Sequence, residues 1–179
     1  MNLQSYQSTD AKPIVDLFHH TFTDSEGEQE GELIADLAMQ LCQTTRPGDL
    51  QVYVAMEDQQ IIGCIMLTRL TYPHSENIVF MLAPVAVHPD FQGRGIGQAL
   101  IKFAKSQLKQ QGVDLLVTYG DIGFYAKVGF TAVSEALLPP PMPLNYPQGW
   151  LGQSLKGQEV EPIAGPAECV EAFRNPAYW

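Results

Sequence analysis

The sequence predicts one α/β domain, and three observations carry that prediction. At residues 82–100 an apolar run, a Pro-Asp turn, a glycine-rich loop and an amphipathic pattern follow one another without interruption. Elsewhere, short apolar or β-branched runs alternate with segments whose apolar residues recur at helical spacing. The 179 residues, 45% of them apolar, suffice for one full core, and neither an internal repeat nor a linker divides them.

Residues 3–7 form a first strand. Ser8, Thr9 and Asp10 offer capping oxygens to a helix over 11–22, where Pro13 is tolerable in the first turn and Ile14, Leu17, Phe18 and Phe22 share a face. A short acidic connector, 23–27, leads to a second helix over 28–41, with Leu33, Ile34, Leu37, Ala38 and Leu41 together. Runs 51–56 and 61–72 read as strands about a turn at Asp58-Gln59-Gln60. The next strand, 77–87, contains Pro84, which removes a ladder donor and so requires a bulge or a gap in pairing.

A helix over 96–111 turns Gly97, Leu100, Ile101, Ala104 and Leu108 to one side and Lys102, Lys105 and Lys109 to the other, and Gly112 closes it. Residues 115–119 predict a buried parallel strand. A short helix within 120–130 precedes a final strand pair, 131–137 and 150–155. Between them runs a proline-rich loop (Pro139, Pro140, Pro141, Pro143, Pro147) that reads as extended or turned. The tail, 156–179, has little periodicity, yet Val170, Phe173, Tyr178 and Trp179 equip it to pack back on the body.

A net charge of −10 argues against a nucleic-acid partner. The three cysteines, Cys42, Cys64 and Cys169, match neither a disulfide framework nor a zinc site, and no metal is expected. No apolar run approaches membrane-spanning length, and Met1-Asn2-Leu3-Gln4-Ser5 lacks the basic start and apolar core of a signal peptide, so the expectation is a cytoplasmic protein that engages no membrane. The charges are unevenly placed. Residues 24–36 hold six acids and no Lys or Arg, whereas 94–109 hold four bases and no acid. An acidic chain has put its positive charge beside the glycine loop, as an anionic ligand needs, although solvated helix faces give similar runs.

Gly93, Gly95 and Gly97, at alternate positions, allow the backbone to turn with φ > 0 and leave its N–H groups uncovered. These donors lie where a helix begins, a place that attracts anions and commonly phosphate. A dinucleotide fingerprint, G-x-G-x-x-G, fails at Gln98, and its acidic residue, about 20 positions on, would be Asp114, which precedes an apolar run instead of ending one. A P-loop needs Gly-Lys-Ser or Gly-Lys-Thr, and neither occurs. A plain turn from strand to helix is the bland account. The hexapeptide Gln92-Gly93-Arg94-Gly95-Ile96-Gly97 resembles the Q/R-x-x-G-x-G/A signature of the GNAT superfamily of N-acetyltransferases. Its lead-in, Val85-Ala86-Val87-His88-Pro89-Asp90-Phe91, is similar to that superfamily's strand and turn, and Tyr125-Ala126-Lys127-Val128-Gly129-Phe130 resembles its Y-x-x-x-G-F motif. The resemblance covers about residues 3–155, with its specific motifs in the middle.

The resemblance implies a three-layer α/β (α+β) fold over 1–179, with a central, mostly antiparallel mixed sheet, helices on both faces and a splayed strand pair that accommodates Pro84. It implies transfer of an acetyl group from acetyl-CoA to a primary amine of a small molecule, by direct attack in a ternary complex; no cysteine sits in a motif suited to a covalent intermediate. By the same resemblance, Val85, Ala86 and Val87 line the pantetheine arm, with an N–H near Val85 polarising the acetyl carbonyl. Gln92, Gly93, Arg94, Gly95, Ile96 and Gly97 hold the pyrophosphate through main-chain N–H groups, and the Arg94 guanidinium adds charge unless it is merely solvated. Tyr125 protonates the departing thiolate, a task suited to a phenol with an ordinary pKa of about 10; its alternative role is that of a lining aromatic. Asp121 either contacts cofactor or acceptor or simply caps the short helix.

No acid stands in the strand where many relatives carry a general base. His74, Glu76 and the acids from Glu26 to Glu32 are candidates, as are His19, His20 and His88, and a water chain or a neutral amine removes the need for one. The acidic segment points to a cationic acceptor, such as a polyamine, or else to ordinary helix-start acids. Two rival functions stand beside this one: a non-catalytic acyl-CoA-binding regulatory module, and an acyltransferase acting on a protein amine or with a longer acyl chain. A monomer and a homodimer are both compatible with the sequence.

Overall fold

The sequence periodicities become seven strands and four α-helices in a computed structural model that describes all residues, Met1–Trp179. They are β1 (Asn2–Ser5), α1 (Lys12–Glu26), α2 (Glu28–Thr44), β2 (Leu50–Glu57), β3 (Gln60–Leu70), β4 (Val79–Val87), α3 (Ile96–Gln110), β5 (Leu115–Tyr119), α4 (Ile122–Tyr125), β6 (Thr131–Ala132) and β7 (Trp150–Ser154). The strands follow the order β1-β2-β3-β4-β5-β7-β6 in a mostly antiparallel sheet. The chain divides into two compact units, Met1–Leu67 with Pro84–Ala104, and Thr68–Ala83 with Lys105–Trp179. No helix is long and apolar enough to cross a membrane.

In the first unit β1 runs antiparallel to β2, with Asn2 opposite Met56 and Ser5 opposite Tyr53. Asp58 and Gln59, at φ 48° and 66°, make the two-residue turn that joins β2 to β3, since paired left-handed residues match the twist of a tight hairpin. The expected caps are not realised as such: Ala11 takes the N-cap position with no side-chain cap bond, while the Asp10 carboxylate accepts the Lys12 N–H at 3.0 Å and the Ser8 hydroxyl accepts the Asp10 N–H at 3.1 Å in the turn before the helix. The acidic connector expected at 23–27 is not a loop. Nothing before Gly27 breaks the helix, so α1 continues to Glu26 and only Gly27, at φ 100°, separates it from α2. Asp24 and Glu26 therefore stand at the end of α1 that the helix dipole disfavours for acids, while Glu28 and Glu30 stand at the favoured start of α2. Ile14, Phe18, Leu37, Leu41, Val54, Ile62 and Leu100 are buried in this unit.

In the second unit Val79 to Leu82 of β4 pair in parallel with Leu115 to Thr118 of β5, the parallel strand the sequence predicts. That ladder ends at Leu82, two residues before Pro84, which is the gap in pairing the proline demands. β7 lies antiparallel to β5, from Ser154 opposite Leu115 to Trp150 opposite Tyr119. β6 keeps only Thr131 and Ala132 of the seven residues expected, because Ser134 starts a turn there. Its hydroxyl accepts the Leu137 N–H at 3.0 Å and its carbonyl the Leu138 N–H at 3.1 Å. The tail packs as expected, with Phe173 and Trp179 buried and the Trp179 indole N–H donating to the Phe173 carbonyl at 2.7 Å. Asp114 is a structural acid. Its carboxylate accepts the N–H of half-buried Ile78 at 2.7 Å and pairs with Lys156. Desolvation pushes its pKa up, but Lys156, the Ile78 N–H and Arg69 outweigh that and hold it below the usual carboxylate range.

Candidate active site

The junction between β4 and α3 builds its loop from main-chain bonds that leave a run of donors free. Pro89 to Phe91 form one tight turn, in which the Phe91 N–H donates to the His88 carbonyl at 2.8 Å and the Gln92 N–H to the Pro89 carbonyl at 3.2 Å. The next main-chain donation is from Ala99 to the Gly95 carbonyl, at 3.0 Å. The N–H groups from Gly93 to Gln98 thus have no main-chain acceptor, and they lead directly into the positive end of α3. Gly93 and Gly95 both sit at φ 75°, and a Cβ added to either would meet no atom within 4 Å. The loop is left-handed where it needs glycine and open on the side where a methyl would stand.

Three expectations about this loop need correction. Gly97 is not one of the left-handed glycines, because it already lies in the first turn of α3. Gln92 has no spare main-chain donor, since Pro89 takes it; its side-chain amide reaches back to the Val87 carbonyl at 3.0 Å and ties the loop to the strand. Arg94 is more than half exposed but not simply solvated. Its guanidinium lies 4.9 Å over the Phe91 ring, donates to the Asp90 carbonyl at 3.3 Å and stands 4.0 Å from the Glu57 carboxylate. Of the strand residues, Ala86 is buried while Val85 and Val87 are half-buried, and the Val87 carbonyl also accepts the Thr21 hydroxyl at 3.5 Å.

The Tyr125 motif is a closed local structure within the second unit. Gly129, at φ 98°, reverses the chain after a tight turn, and the Phe130 N–H donates to the Tyr125 carbonyl at 3.2 Å. Buried Phe130 then sets its edge on the Tyr125 ring, with centroids 5.6 Å apart, and Phe124 packs on it at 5.0 Å. The Val128 carbonyl accepts from Lys105 Nζ at 2.8 Å and from the Gln153 amide at 3.3 Å. Burial raises the Tyr125 pKa, opposed by a hydrogen bond with the Thr118 side chain, so the phenol holds its proton more firmly than an ordinary tyrosine. Thr118 in turn donates to the Leu82 carbonyl at 2.7 Å. Asp121 caps α4, its carboxylate accepting the Gly123 N–H at 3.1 Å, and it is exposed.

The base candidates are scattered. His74 and Glu76 are exposed. His19 lies 3.2 Å from the Glu28 carboxylate across the α1–α2 junction. His20 and His88 face each other with ring centroids 5.0 Å apart, and His88 Nδ1 accepts the Asp90 N–H at 3.3 Å, which makes it part of the turn before the loop. Both imidazoles line a cleft of about 560 Å³ with Tyr6, Asp16, Gln59 and Gln60. No sequence signal marks this cleft, because its walls come from four separate segments. Nor does any group of three or more His, Cys, Asp or Glu side chains gather as metal ligands.

Comparison with known proteins bears on this geometry. Residues 48–132 match the family model of the Acetyltransferase (GNAT) domain. The chain is 27% identical over 142 residues to an uncharacterized N-acetyltransferase, YjhQ, of Escherichia coli K12, across 76% of this chain and 78% of that protein. Among solved structures it is similar to the GNAT family N-acetyltransferase YhbS of Escherichia coli in complex with CoA, with a TM-score of 0.82 and 23% identity over 97% of this chain and 92% of that one. A GNAT family acetyltransferase from Brucella melitensis in complex with acetyl-CoA gives a TM-score of 0.70 and 25% identity, over 96% of this chain and 97% of that one. The stretch that matches the acetyltransferase domain model contains both the glycine loop and the Tyr125 motif, so in those motifs and in fold the chain is similar to GNAT acetyltransferases.

Proposed function

We propose that residues 1–179 serve as a single acetyltransferase domain that moves an acetyl group from acetyl-CoA to a primary amine of a small molecule, by direct attack in a ternary complex. The observation that carries this reading is the run of free N–H groups from Gly93 to Gln98, set on two left-handed glycines with open space above them. Such a cradle suits a diphosphate, because several fixed donors meet an anion at the start of a helix. Gly93, Arg94, Gly95, Ile96 and Gly97 would hold that diphosphate by main-chain donors, with Gln92 bracing the loop through Val87. Val85, Ala86 and Val87 would offer main-chain groups to the pantetheine arm, beyond the point where the β4–β5 ladder ends.

The thioester supplies an activated acetyl group: a C–N bond forms, the C–S bond breaks, the amine gives up a proton and the sulfur takes one. Tyr125 is the donor of the proton that the sulfur takes. Its phenol stays neutral at physiological pH, since its pKa is pushed up and not down. An N–H near Val85 would stabilise the oxyanion. Asp121, at the end of β5 and exposed, is the nearest acid in sequence to this motif and would meet cofactor or acceptor.

Release of free thiol from acetyl-CoA, measured against a panel of primary amines, tests the reading. Amine-dependent thiol release with an acetylated product of matching mass is the expected result. Tight CoA binding with no turnover for any amine would leave the protein a CoA-binding module, and the catalytic reading would fall.

A further inference from the structure

The chain has few large apolar side chains left in solvent: Met1, Ile122 and Tyr146. One of these, Ile122, belongs to the segment that carries the Tyr125 motif, and a second, Tyr146, is linked to it through two closely approaching glycines. Ile122 opens α4, three residues before Tyr125. Tyr146 comes from the proline-rich loop, more than twenty residues away in sequence, and glycines bring it close. A Cβ on Gly149 would stand 2.7 Å from the Tyr146 ring and 3.0 Å from the Gly120 carbonyl. A Cβ on Gly120 would stand 2.8 Å from the Tyr125 ring. Tyr146 therefore lies against Gly149, Gly149 against Gly120, and Gly120 against Tyr125, and a side chain at either glycine would push its neighbour aside.

The backbone that presents Tyr146 is fixed even though its ring is 56% exposed. Its N–H donates to the Tyr119 hydroxyl at 2.6 Å, and its carbonyl accepts the Gly149 N–H at 2.9 Å. The Gly120 N–H donates to the Gly149 carbonyl at 2.9 Å, and the neighbouring Asn145 N–H to the Trp179 carbonyl at 2.7 Å. Tyr119, which receives Tyr146, is itself stacked on buried Trp179 with centroids 6.2 Å apart and donates to the Trp179 carbonyl at 3.1 Å. An aromatic ring held out into water by a pinned backbone has few torsions left to freeze, which is the arrangement that favours ligand contact over self-packing. The exposed charges among residues 119–127 are Asp121 and Lys127, one of each sign, so selection there falls to the ring and not to net charge.

We infer that Tyr146, with Ile122, forms an acceptor subsite that selects primary amines bearing an aromatic or bulky apolar group, and that Tyr146 is the specificity-determining residue of that subsite. The inference rests on the reading of Tyr125 as the residue that faces the reacting thioester. An aryl group stacks on the Tyr146 ring and covers Ile122, while the amine end lies toward Tyr125 and the Asp121 carboxylate. This narrows the acceptor class away from the linear polyamines that the acidic stretch 24–36 suggests by charge alone.

The test compares 2-phenylethylamine with butylamine, in wild type and in Tyr146→Ala, Tyr146→Leu and Tyr146→Phe, by steady-state thiol release and by calorimetric titration in the presence of CoA. Wild type should use the aryl amine at least tenfold better in kcat/KM. Tyr146→Ala should lose about tenfold for the aryl amine, mostly in KM, and much less for butylamine, with Tyr146→Phe restoring the preference and Tyr146→Leu restoring part of it. Equal use of the two amines by wild type, or an aryl preference that survives Tyr146→Ala, overturns the inference. If no amine is acetylated, the transferase reading fails. The calorimetry still decides the subsite: phenylethylamine binding that Tyr146→Ala leaves undiminished, or no binding in wild type, overturns it.

Discussion

Replacing Gly95 with alanine separates the structural need for that glycine from its use. At φ 75° an alanine pays the left-handed penalty of about 1–2 kcal/mol, and no other cost arises because its methyl meets nothing within 4 Å. For a chain of this length that should lower the Tm by roughly 2–8 °C. The same methyl would sit within the run of residues whose N–H groups have no main-chain acceptor. If those donors grip a diphosphate, losing even one charge-assisted hydrogen bond removes about 1.5–3 kcal/mol, a roughly ten- to hundredfold weaker Kd for CoA. Gly157 is the matched control: its φ is 71°, its added Cβ also meets nothing within 4 Å, and it lies in an exposed turn after β7. Thermal unfolding should therefore show similar losses for Gly95→Ala and Gly157→Ala, and calorimetry with CoA should show a loss for Gly95→Ala alone. A Gly95→Ala protein that binds CoA as wild type does would refute the cradle, and an equal loss in Gly157→Ala would show that strain, not contact, sets affinity.

Tyr125→Phe should lower kcat by about 10²- to 10⁴-fold with KM for acetyl-CoA within about twofold of wild type, as expected when a proton donor is lost from a site that still binds; a rise in KM with kcat intact would make Tyr125 a lining residue instead. Burial raises the pKa of Tyr72, whose hydroxyl donates to the Pro139 carbonyl at 3.0 Å, so above pH about 10 the folded state holds a proton that the unfolded state has released, and stability falls with pH by up to about 1.4 kcal/mol per unit. Melting curves between pH 9 and 12 should show a shallower decline for Tyr72→Phe than for wild type, and parallel curves would contradict the assignment. Asp114→Ala should cost about 1–3 kcal/mol by leaving the Ile78 N–H without its acceptor. Because the Asp114 pKa is held down when folded, the difference between the two proteins should be complete above pH about 4 and shrink as pH falls further; a difference that grows in acid would reverse the sign of the argument.

The parts of this molecule that were legible in its sequence are those whose cause is local. Gly93 and Gly95 announce a left-handed backbone, Gly112 a helix stop and Pro84 a break in pairing, because each acts through its own torsions or its missing donor. The failures share the opposite property. Gly97 looks the same as Gly93 and Gly95 in a pattern, yet the helix has already begun there, and where a helix starts depends on what its first turn packs against. β6 stops after two residues because a serine hydroxyl offers a competing acceptor, a choice that apolar periodicity does not register. The same contrast bears on the site. The glycine loop is a stretch of contiguous backbone, so a motif can encode it. The surface that would meet the acceptor is joined by bonds such as that from the Tyr146 N–H to the Tyr119 hydroxyl, 27 residues apart, and by two glycines whose only signature is the absence of a side chain. That asymmetry has a physical basis: a run of main-chain donors is supplied by any sequence of the right torsions, whereas a surface of side chains from distant segments exists only once the tertiary fold assembles it.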